Sequence, residues 1–220
     1  MNYSIVSNSC VSYFVYQLCN PGVHKMFIDY TNPFIACWFP DDEHYVRFCE
    51  NYKYYTSLEP RFSEPSTCLN WFRDTGKYRH LNRKLGEYPV MFLGDIEIHW
   101  IHDYSEKQIR RKYKERLRLS RKLELVFLWS DPEMFNIHSA KKRNSLFNRF
   151  NRLKDKTIFL TSHPSSGRES ENTKVVFVPE WTGRTQFERT IQNNLVSWYT
   201  HPQISQLFKE NMYEDNYNYV

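Results

Sequence analysis

The sequence is poor in the features that mark several common classes of protein. Only six of its 220 residues are glycine, and it holds neither a P-loop nor a Gly-x-Gly-x-x-Gly run, which argues against the commonest nucleotide-binding loops. The five cysteines include no Cys-x-x-Cys pair, which argues against a disulfide framework and against a zinc finger. No apolar run approaches the roughly 18–20 residues of a membrane-spanning helix. We therefore expect neither a bound metal nor a transmembrane segment.

The sequence also lacks an export signal and a net charge strong enough to indicate one class of charged partner. The N-terminal stretch has no basic segment and no long apolar run, so the pattern predicts no secretory signal and a location in the reducing cytoplasm. The net charge of +5 is compatible with nucleic acid, an acidic glycan or a phosphorylated ligand, and it selects none of them. We expect no nucleic-acid partner, and the oligomeric state is left open.

Aromatic residues are abundant, at 17% of the chain, and their large side chains can fill a core. Short apolar runs alternate with amphipathic stretches, which predicts strands near 3–6, 33–39, 88–93, 96–101, 123–129, 157–161 and 174–178, and helices near 11–18, 44–54, 105–122, 146–153 and 184–199. This alternation is typical of an α/β fold, with a mostly parallel sheet and helices on both faces in three layers. We expect one domain over residues 1–200, an irregular surface excursion near 59–87, and a polar tail at 201–220.

Ligands of such folds bind at the carboxyl ends of the strands, which directs attention to the polar residues after the first predicted strand. Cys10 lies there, at the start of a predicted helix, where the helix dipole lowers a thiol pKa and free amides can hold an oxyanion. Asn8 could add a side-chain donor. The alternative is that Ser7, Asn8 and Ser9 are capping residues and that Cys10 is a small buried hydrophobe.

Two histidines, His99 and His102, lie near the end of the strand predicted over 96–101, whose alternation places Glu97 and His99 on one side. His102 is nearer the predicted carboxyl end, which makes it the better candidate for a general base, with Asp103 orienting its ring. A metal site made of His99, His102 and Asp103 matches no standard spacing. The alternative is a pair of hydrogen-bonded structural histidines.

The predicted helix at 105–122 is strongly basic, and such a run could meet phosphates. Glu106, Glu115 and Glu124 interrupt it, which favours a solvated face with weak ion pairs. Arg116 is the exception, because it lies beside the apolar stripe of the helix.

Together these segments resemble a bacterial family of unknown function that is often labelled as exopolysaccharide-biosynthesis or acetyltransferase proteins. The resemblance rests on Ser-Asn-Ser-Cys at 7–10, Thr-Asn-Pro-Phe at 31–34, and Gly-Asp-Ile-Glu-Ile-His at 94–99, which is the most specific part. It covers about residues 4–164. A weaker similarity links the chain to a family labelled papain-like cysteine peptidases.

The resemblance implies a Rossmann-like α/β fold and a set of functional positions. The matching positions are Asn8, Cys10, Asn32, Pro33, Phe34, Asp95, Glu97, His99 and His102. The chain departs from the family at Ser9, where the family has asparagine, and at 11–13, where Val-Ser-Tyr replaces Trp-Gly-Gly. Together with the residues discussed above, these positions predict substrate contacts from Ser7, Ser9, Asn32, Phe34, Asp95, Glu97, Asp103 and Arg116.

The leading expectation is an enzyme that transfers an acyl group to a sugar or glycan hydroxyl. Cys10 would be the nucleophile or the thioester contact, His102 the base, and the turn at 8–10 the oxyanion site, with His99 and Asn8 as further catalytic residues. Acyl-coenzyme A would be the donor substrate, with no resident cofactor. Two alternatives stay open: a cysteine-dependent hydrolase or esterase that uses the same residues, and a non-enzymatic glycan-binding protein whose Trp38, Tyr54 and Trp100 stack on sugars.

Overall fold

The computed structural model describes residues 3–8, 33–34, 37–62, 66–67, 88–100, 105–130, 140–161 and 170–177. The strands are β1 (Tyr3–Ser7), β2 (Val90–Leu93), β3 (Ile96–His99), β4 (Glu124–Ser130), β5 (Lys156–Thr161) and β6 (Thr173–Phe177). The helices are α1 (Asp42–Glu50), α2 (Tyr52–Tyr55), α3 (Glu106–Ser120) and α4 (Ala140–Phe150). No helix in these ranges is both long enough and apolar enough to cross a bilayer.

Four strands form a parallel sheet in the order β1-β4-β5-β6. Ser7 lies opposite Leu128, and Ser130 lies opposite Leu160, so the carboxyl ends of β1, β4 and β5 lie at the same edge. Helix α4 connects β4 to β5, because parallel neighbours require a crossover rather than a tight turn. The predicted α/β class with a mostly parallel sheet is confirmed at this level.

Strands β2 and β3 form a separate antiparallel hairpin, with Val90 opposite His99 and Leu93 opposite Ile96. Gly94 begins the turn at a φ of 63°, a left-handed conformation that suits a residue without Cβ. A Cβ added there would also lie 3.1 Å from Leu58 Cδ1. All four residues of β3 are buried, so the hairpin is covered on both faces.

The segment at 37–39 connects the hairpin to the parallel sheet. Trp38 and His99 exchange two backbone hydrogen bonds of 2.9 and 2.7 Å, and Phe39 N donates to Asn8 O at 3.3 Å. The predicted strand at 33–39 is therefore wrong as a regular strand: Pro33 and Phe34 lie in a turn, and of the described residues 37–39 only Trp38 forms a bridge. Pro33 explains part of this difference, because proline fixes φ and has no N–H to give to a ladder.

Aromatic side chains fill the core between the sheet and helices α1, α3 and α4. Fully buried members include Phe34, Tyr45, Tyr113, Phe127 and Trp129. The Tyr45 hydroxyl lies 2.8 Å from both Val6 O and Leu128 O, which fixes α1 against β1 and β4.

Several predicted segments differ from the structure or lie outside the described residues. The helix predicted over 44–54 is divided at Asn51 into α1 and α2. The helices predicted near 11–18 and 184–199, the tail at 201–220 and most of the excursion near 59–87 lie outside the described residues, and they stay predictions.

Candidate functional site

The Asn8 side chain joins the carboxyl ends of β1 and β4. Asn8 Nδ2 donates to Ser130 O at 2.9 Å, and Ser130 N donates to Asn8 Oδ1 at 3.0 Å. The amide thus takes the place of a peptide group and extends the ladder by one position. Asn8 and its neighbour Ser7 are fully buried. The predicted role of Asn8 as an oxyanion donor rests on the second hydrogen of this amide, because the first is bonded to Ser130.

Replacing Asn8 by alanine is expected to lower the free energy of unfolding by about 2–4 kcal/mol, because the N–H and C=O of Ser130 would both lose a buried partner. Asn51→Ala is the matched control, since the Asn51 amide makes an exposed 3.4 Å bond to Arg47 O. Denaturant unfolding of both variants measures the difference. Equal losses would show that the bridge between β1 and β4 contributes nothing particular to stability.

Three buried polar side chains in and next to the β2–β3 hairpin are joined in a line by hydrogen bonds. Glu97 Oε1 lies 2.7 Å from His99 Nε2, and His99 Nδ1 lies 2.9 Å from the Tyr88 hydroxyl. His99 is 0% exposed, Glu97 1% and Tyr88 7%, so the line runs from a buried carboxylate towards a less buried phenol. We call these three residues the Tyr88–His99–Glu97 line.

Glu97 is held in the ionised form by its neighbours. Both Ser66 Oγ and Thr67 Oγ1 donate to its carboxylate, and Thr67 N donates to Oε2 at 3.0 Å. Burial raises the pKa of Glu97, but the hydrogen bond and charge of His99, together with the bonds from Ser66 and Thr67, outweigh burial and bring the pKa to about 2. Glu97 is therefore a carboxylate at any pH near neutral.

The ionised carboxylate determines the tautomer of His99. A carboxylate only accepts hydrogen bonds, so His99 Nε2 must carry a proton and donate it to Glu97. When the imidazole is neutral, Nδ1 carries no proton and accepts from the Tyr88 hydroxyl, and when it is protonated, Nδ1 donates to the Tyr88 oxygen. Carboxylate, imidazole and hydroxyl in this order are the arrangement that activates a hydroxyl by general-base catalysis.

The end of β1 and the Tyr88–His99–Glu97 line lie close together, because only the segment at 37–39 separates Asn8 from His99. The segment at 37–39 lies one strand spacing from each of them, so the backbones at Asn8 and His99 are about 10 Å apart. Cys10 follows Asn8 by two positions, and His102 follows His99 by three. Five predicted site residues lie outside the described residues, namely Ser9, Cys10, Asn32, His102 and Asp103.

Other predicted site residues lie elsewhere in the fold. Phe34 is a core residue, with its ring centroid 4.9 Å from that of Phe48. Asp95 is at the hairpin turn, at the far end of β3 from His99, and it pairs with Arg47 and accepts from the Tyr55 hydroxyl at 3.1 Å. Arg116 is buried on α3, at 7% exposure. The structure therefore brings Glu97 and His99 together, and it places Phe34 and Asp95 outside their cluster.

The side chains proposed for sugar stacking are mostly inside the protein. Trp38 is 7% exposed and Trp100 is 0% exposed, whereas Tyr54 is 60% exposed. Two of the three aromatic rings named for a glycan-binding surface are thus part of the interior. Within the described ranges, no three His, Cys, Asp or Glu side chains gather as a metal would require.

Sequence reasoning missed Tyr88, Ser66 and Thr67. Tyr88 could have been found from the Gly94 turn, because the hairpin register with Val90 opposite His99 makes Tyr88 a diagonal neighbour of His99 on the same face. Ser66 and Thr67 approach Glu97 from about thirty residues earlier in the chain. No local periodicity signals such a contact.

Comparison with known proteins gives the family and one relative. An uncharacterized protein of Haemophilus influenzae is 24% identical over 210 residues, which cover 90% of this chain and 84% of that protein. Residues 1–171 match the family described as "Domain of unknown function (DUF1919)". The predicted resemblance to a family of unknown function agrees with this match, and the acetyltransferase and exopolysaccharide labels stay predictions. Since the match covers most of the sequence, the chain belongs to the DUF1919 family.

Proposed function

We propose that this protein transfers an acyl group from a thioester donor, of the acyl-coenzyme A kind, to a hydroxyl of a sugar or glycan. The observation that carries the proposal is the Tyr88–His99–Glu97 line, in which a buried carboxylate holds His99 with Nδ1 facing a hydroxyl at 2.9 Å. A base oriented in this way serves a reaction in which a hydroxyl must lose its proton as it attacks a carbonyl.

The proposed proton path starts at the acceptor. The acceptor hydroxyl gives its proton to the Tyr88 oxygen while Tyr88 passes its own proton to His99 Nδ1. The acceptor oxygen forms a bond to the thioester carbonyl carbon, the carbon–sulfur bond breaks, and the leaving thiolate takes the proton back along the same path. Glu97 keeps its negative charge throughout and stabilises the imidazolium that forms between the two steps.

Cys10 is proposed to act together with the Tyr88–His99–Glu97 line. The short separation between the ends of β1 and β3 supports a path in which Cys10 first accepts the acyl group and a histidine, at 99 or at 102, assists both transfers. The alternative path is direct, with the acceptor attacking the donor and Cys10 only contacting the thioester.

The test uses the full chain with acetyl-coenzyme A and a panel of sugars and oligosaccharides. We expect release of free thiol that depends on a sugar, with the acetyl group found on that sugar by mass spectrometry. Thiol release in water alone, with free acetate as the product, would replace the proposal by the hydrolase alternative. No consumption of the thioester with any acceptor would contradict both.

Cys10→Ala separates the two paths. On the covalent path we expect loss of transfer and loss of an acetylated chain in the intact-mass spectrum of the quenched reaction. Cys49→Ser is the control thiol, because Cys49 is a buried free cysteine on α1 and is not one of the predicted site residues. Full activity of Cys10→Ala would remove Cys10 from the mechanism while leaving His99 as the base.

The proposed function is accompanied by a proposal about how the layers of the fold are arranged. We propose a three-layer, Rossmann-like arrangement, supported by the parallel order β1-β4-β5-β6 and by the crossover through α4. In such folds the loops after the strands form the ligand site, which is where Asn8 and Ser130 lie.

A further inference from the structure

Helix α3 carries a continuous row of cations on its outer face. The row, which we call the basic ridge, consists of Lys107, Arg111, Lys114 and Arg118 on the helix and of Arg121 and Lys122 in the turn that follows it, all exposed. At 3.6 residues per turn they fall within about 100° of the helix circumference and extend over about 20 Å. The opposite face, with Ile109, Tyr113 and Leu117, is buried in the core.

Ion pairs within the described part of the chain account for little of the charge of the ridge. Arg110, beside it, is held by Glu106 at 2.8 Å and by Pro60 O at 2.8 Å. Within the ridge, Lys114 pairs with Glu59 at 2.9 Å, and both side chains are more than half exposed. Among the residues that the structure describes, Lys107, Arg111 and Arg118 form no ion pair.

Two pairs of cations within the ridge work against the stability of the helix. Lys107 and Arg111, and likewise Lys114 and Arg118, are like charges four residues apart, and such pairs destabilise a helix. A surface that serves solubility alone intersperses both signs. In α3 the acids Glu106 and Glu115 interrupt the basic run in the sequence but lie beside the ridge on the helix surface, so the ridge itself carries one sign of charge, which suits contact with a polyanion.

The shape and composition of the ridge select the polyanion. The row lies along the exposed side of one helix, so several of its cations can meet a flat anionic surface together. The ridge contains no aromatic side chain, so it lacks the rings on which the bases of a single strand stack. Lysine and arginine clusters on one side of an amphipathic helix are typical of contact with anionic lipid headgroups.

We propose that the basic ridge docks this protein on a membrane surface rich in anionic phospholipids. The contact is adsorption to headgroup phosphates, because the apolar face of α3 is occupied by the core and is not available for insertion. The proposal is independent of the acyl-transfer function, since it uses none of the residues of the Tyr88–His99–Glu97 line.

Vesicle co-sedimentation of the full chain tests the proposal. We expect binding to mixed phosphatidylcholine–phosphatidylserine vesicles, weakened by salt, and no binding to pure phosphatidylcholine. The triple variant Lys107→Gln, Arg111→Gln, Arg118→Gln is expected to bind the mixed vesicles about 100-fold more weakly. The matched control changes Lys53, Lys141 and Lys142, which are exposed cations outside α3, to glutamine, so the net charge falls by the same amount.

Each result decides for or against the ridge. Binding that the ridge variant loses and the control variant keeps supports the proposal. Equal losses in the two variants, or no binding to anionic vesicles by the wild type, overturn it. A DNA duplex at equal phosphate concentration is the competing ligand, and tighter binding to the duplex than to the vesicles overturns the choice of a membrane. Circular dichroism of both variants checks that α3 is intact.

Discussion

The His99→Gln variant is expected to lose about 100-fold to 10,000-fold in kcat/KM for acyl transfer, the range that a general base contributes. Glutamine has a similar reach and can still donate to Glu97, but its amide cannot accept a proton. The expected loss therefore comes from chemistry and not from an empty space in the hairpin. The measurement is thiol release from the acyl donor with the acceptor at saturation and below it.

His44→Gln is the matched control for His99→Gln. His44 Nδ1 lies 3.0 Å from Asp41 Oδ1, and both side chains are 22% exposed, so this is a second histidine–carboxylate pair outside the hairpin. We expect its kcat/KM to equal that of the wild type. Similar losses in the two variants, or no loss in His99→Gln, would remove His99 from the reaction.

Glu97→Gln tests whether the carboxylate acts through His99. An amide can donate as well as accept, so it allows the opposite tautomer, in which Nδ1 carries the proton and cannot receive one from Tyr88. Residues that act as a unit have non-additive effects. The double variant with His99→Gln is therefore expected to be no slower than His99→Gln alone, whereas a further loss would indicate two separate roles.

The wild-type protein is expected to lose about 3 kcal/mol of unfolding free energy through Glu97 between about pH 5 and pH 2. The folded-state pKa of about 2 is below the ordinary value of 4.5, so the unfolded chain binds more protons in this range. A depressed carboxyl pKa contributes stability above the unfolded value, and that stability is lost as the pH falls through the folded value.

Chemical denaturation at a series of pH values measures this contribution. Glu97→Gln is expected to be less stable than the wild type at neutral pH and to depend less on pH in the acid range, so the two curves converge near pH 2. Asp95→Asn is the control on the same hairpin. Burial raises the pKa of Asp95, but the bonds from Arg47 and Tyr55 outweigh burial, so the pKa lies below its ordinary value. The Asp95 side chain is 64% exposed, however, and solvent screens its ion pair with Arg47. Parallel curves for wild type and Glu97→Gln would contradict the assignment.

Only those parts of the candidate site that follow from the local sequence pattern could be predicted. The alternation over 96–101 places Glu97 and His99 on one side of a strand, and in the structure His99 Nε2 lies 2.7 Å from Glu97 Oε1. The same pattern could not supply Ser66 and Thr67, which fix the ionisation of Glu97 from a distant part of the chain. Their approach depends on how an irregular segment folds over the hairpin.

For Asn8, too, the sequence predicted the position of the residue but not its tertiary contact. Its position after β1 was predicted from the polar residues that follow an apolar run. That its amide bonds to Ser130, 122 positions later, could not be predicted, because the neighbour of β1 in the sheet is chosen by packing of the whole chain. A reading of Asn8 from its immediate neighbours favours capping or ligand binding and does not reveal a bridge between strands.

The sequence by itself determined the alternation of strands and helices, the α/β class, and the cationic face of α3, since each follows from periodicity within a few residues. Only the tertiary structure decided that β2 and β3 form their own hairpin, that the segment at 37–39 joins this hairpin to β1, and that Tyr88 meets His99. These contacts depend on burial and on hydrogen-bond partners far apart in the chain, and no local pattern encodes the free energy that selects one partner over another.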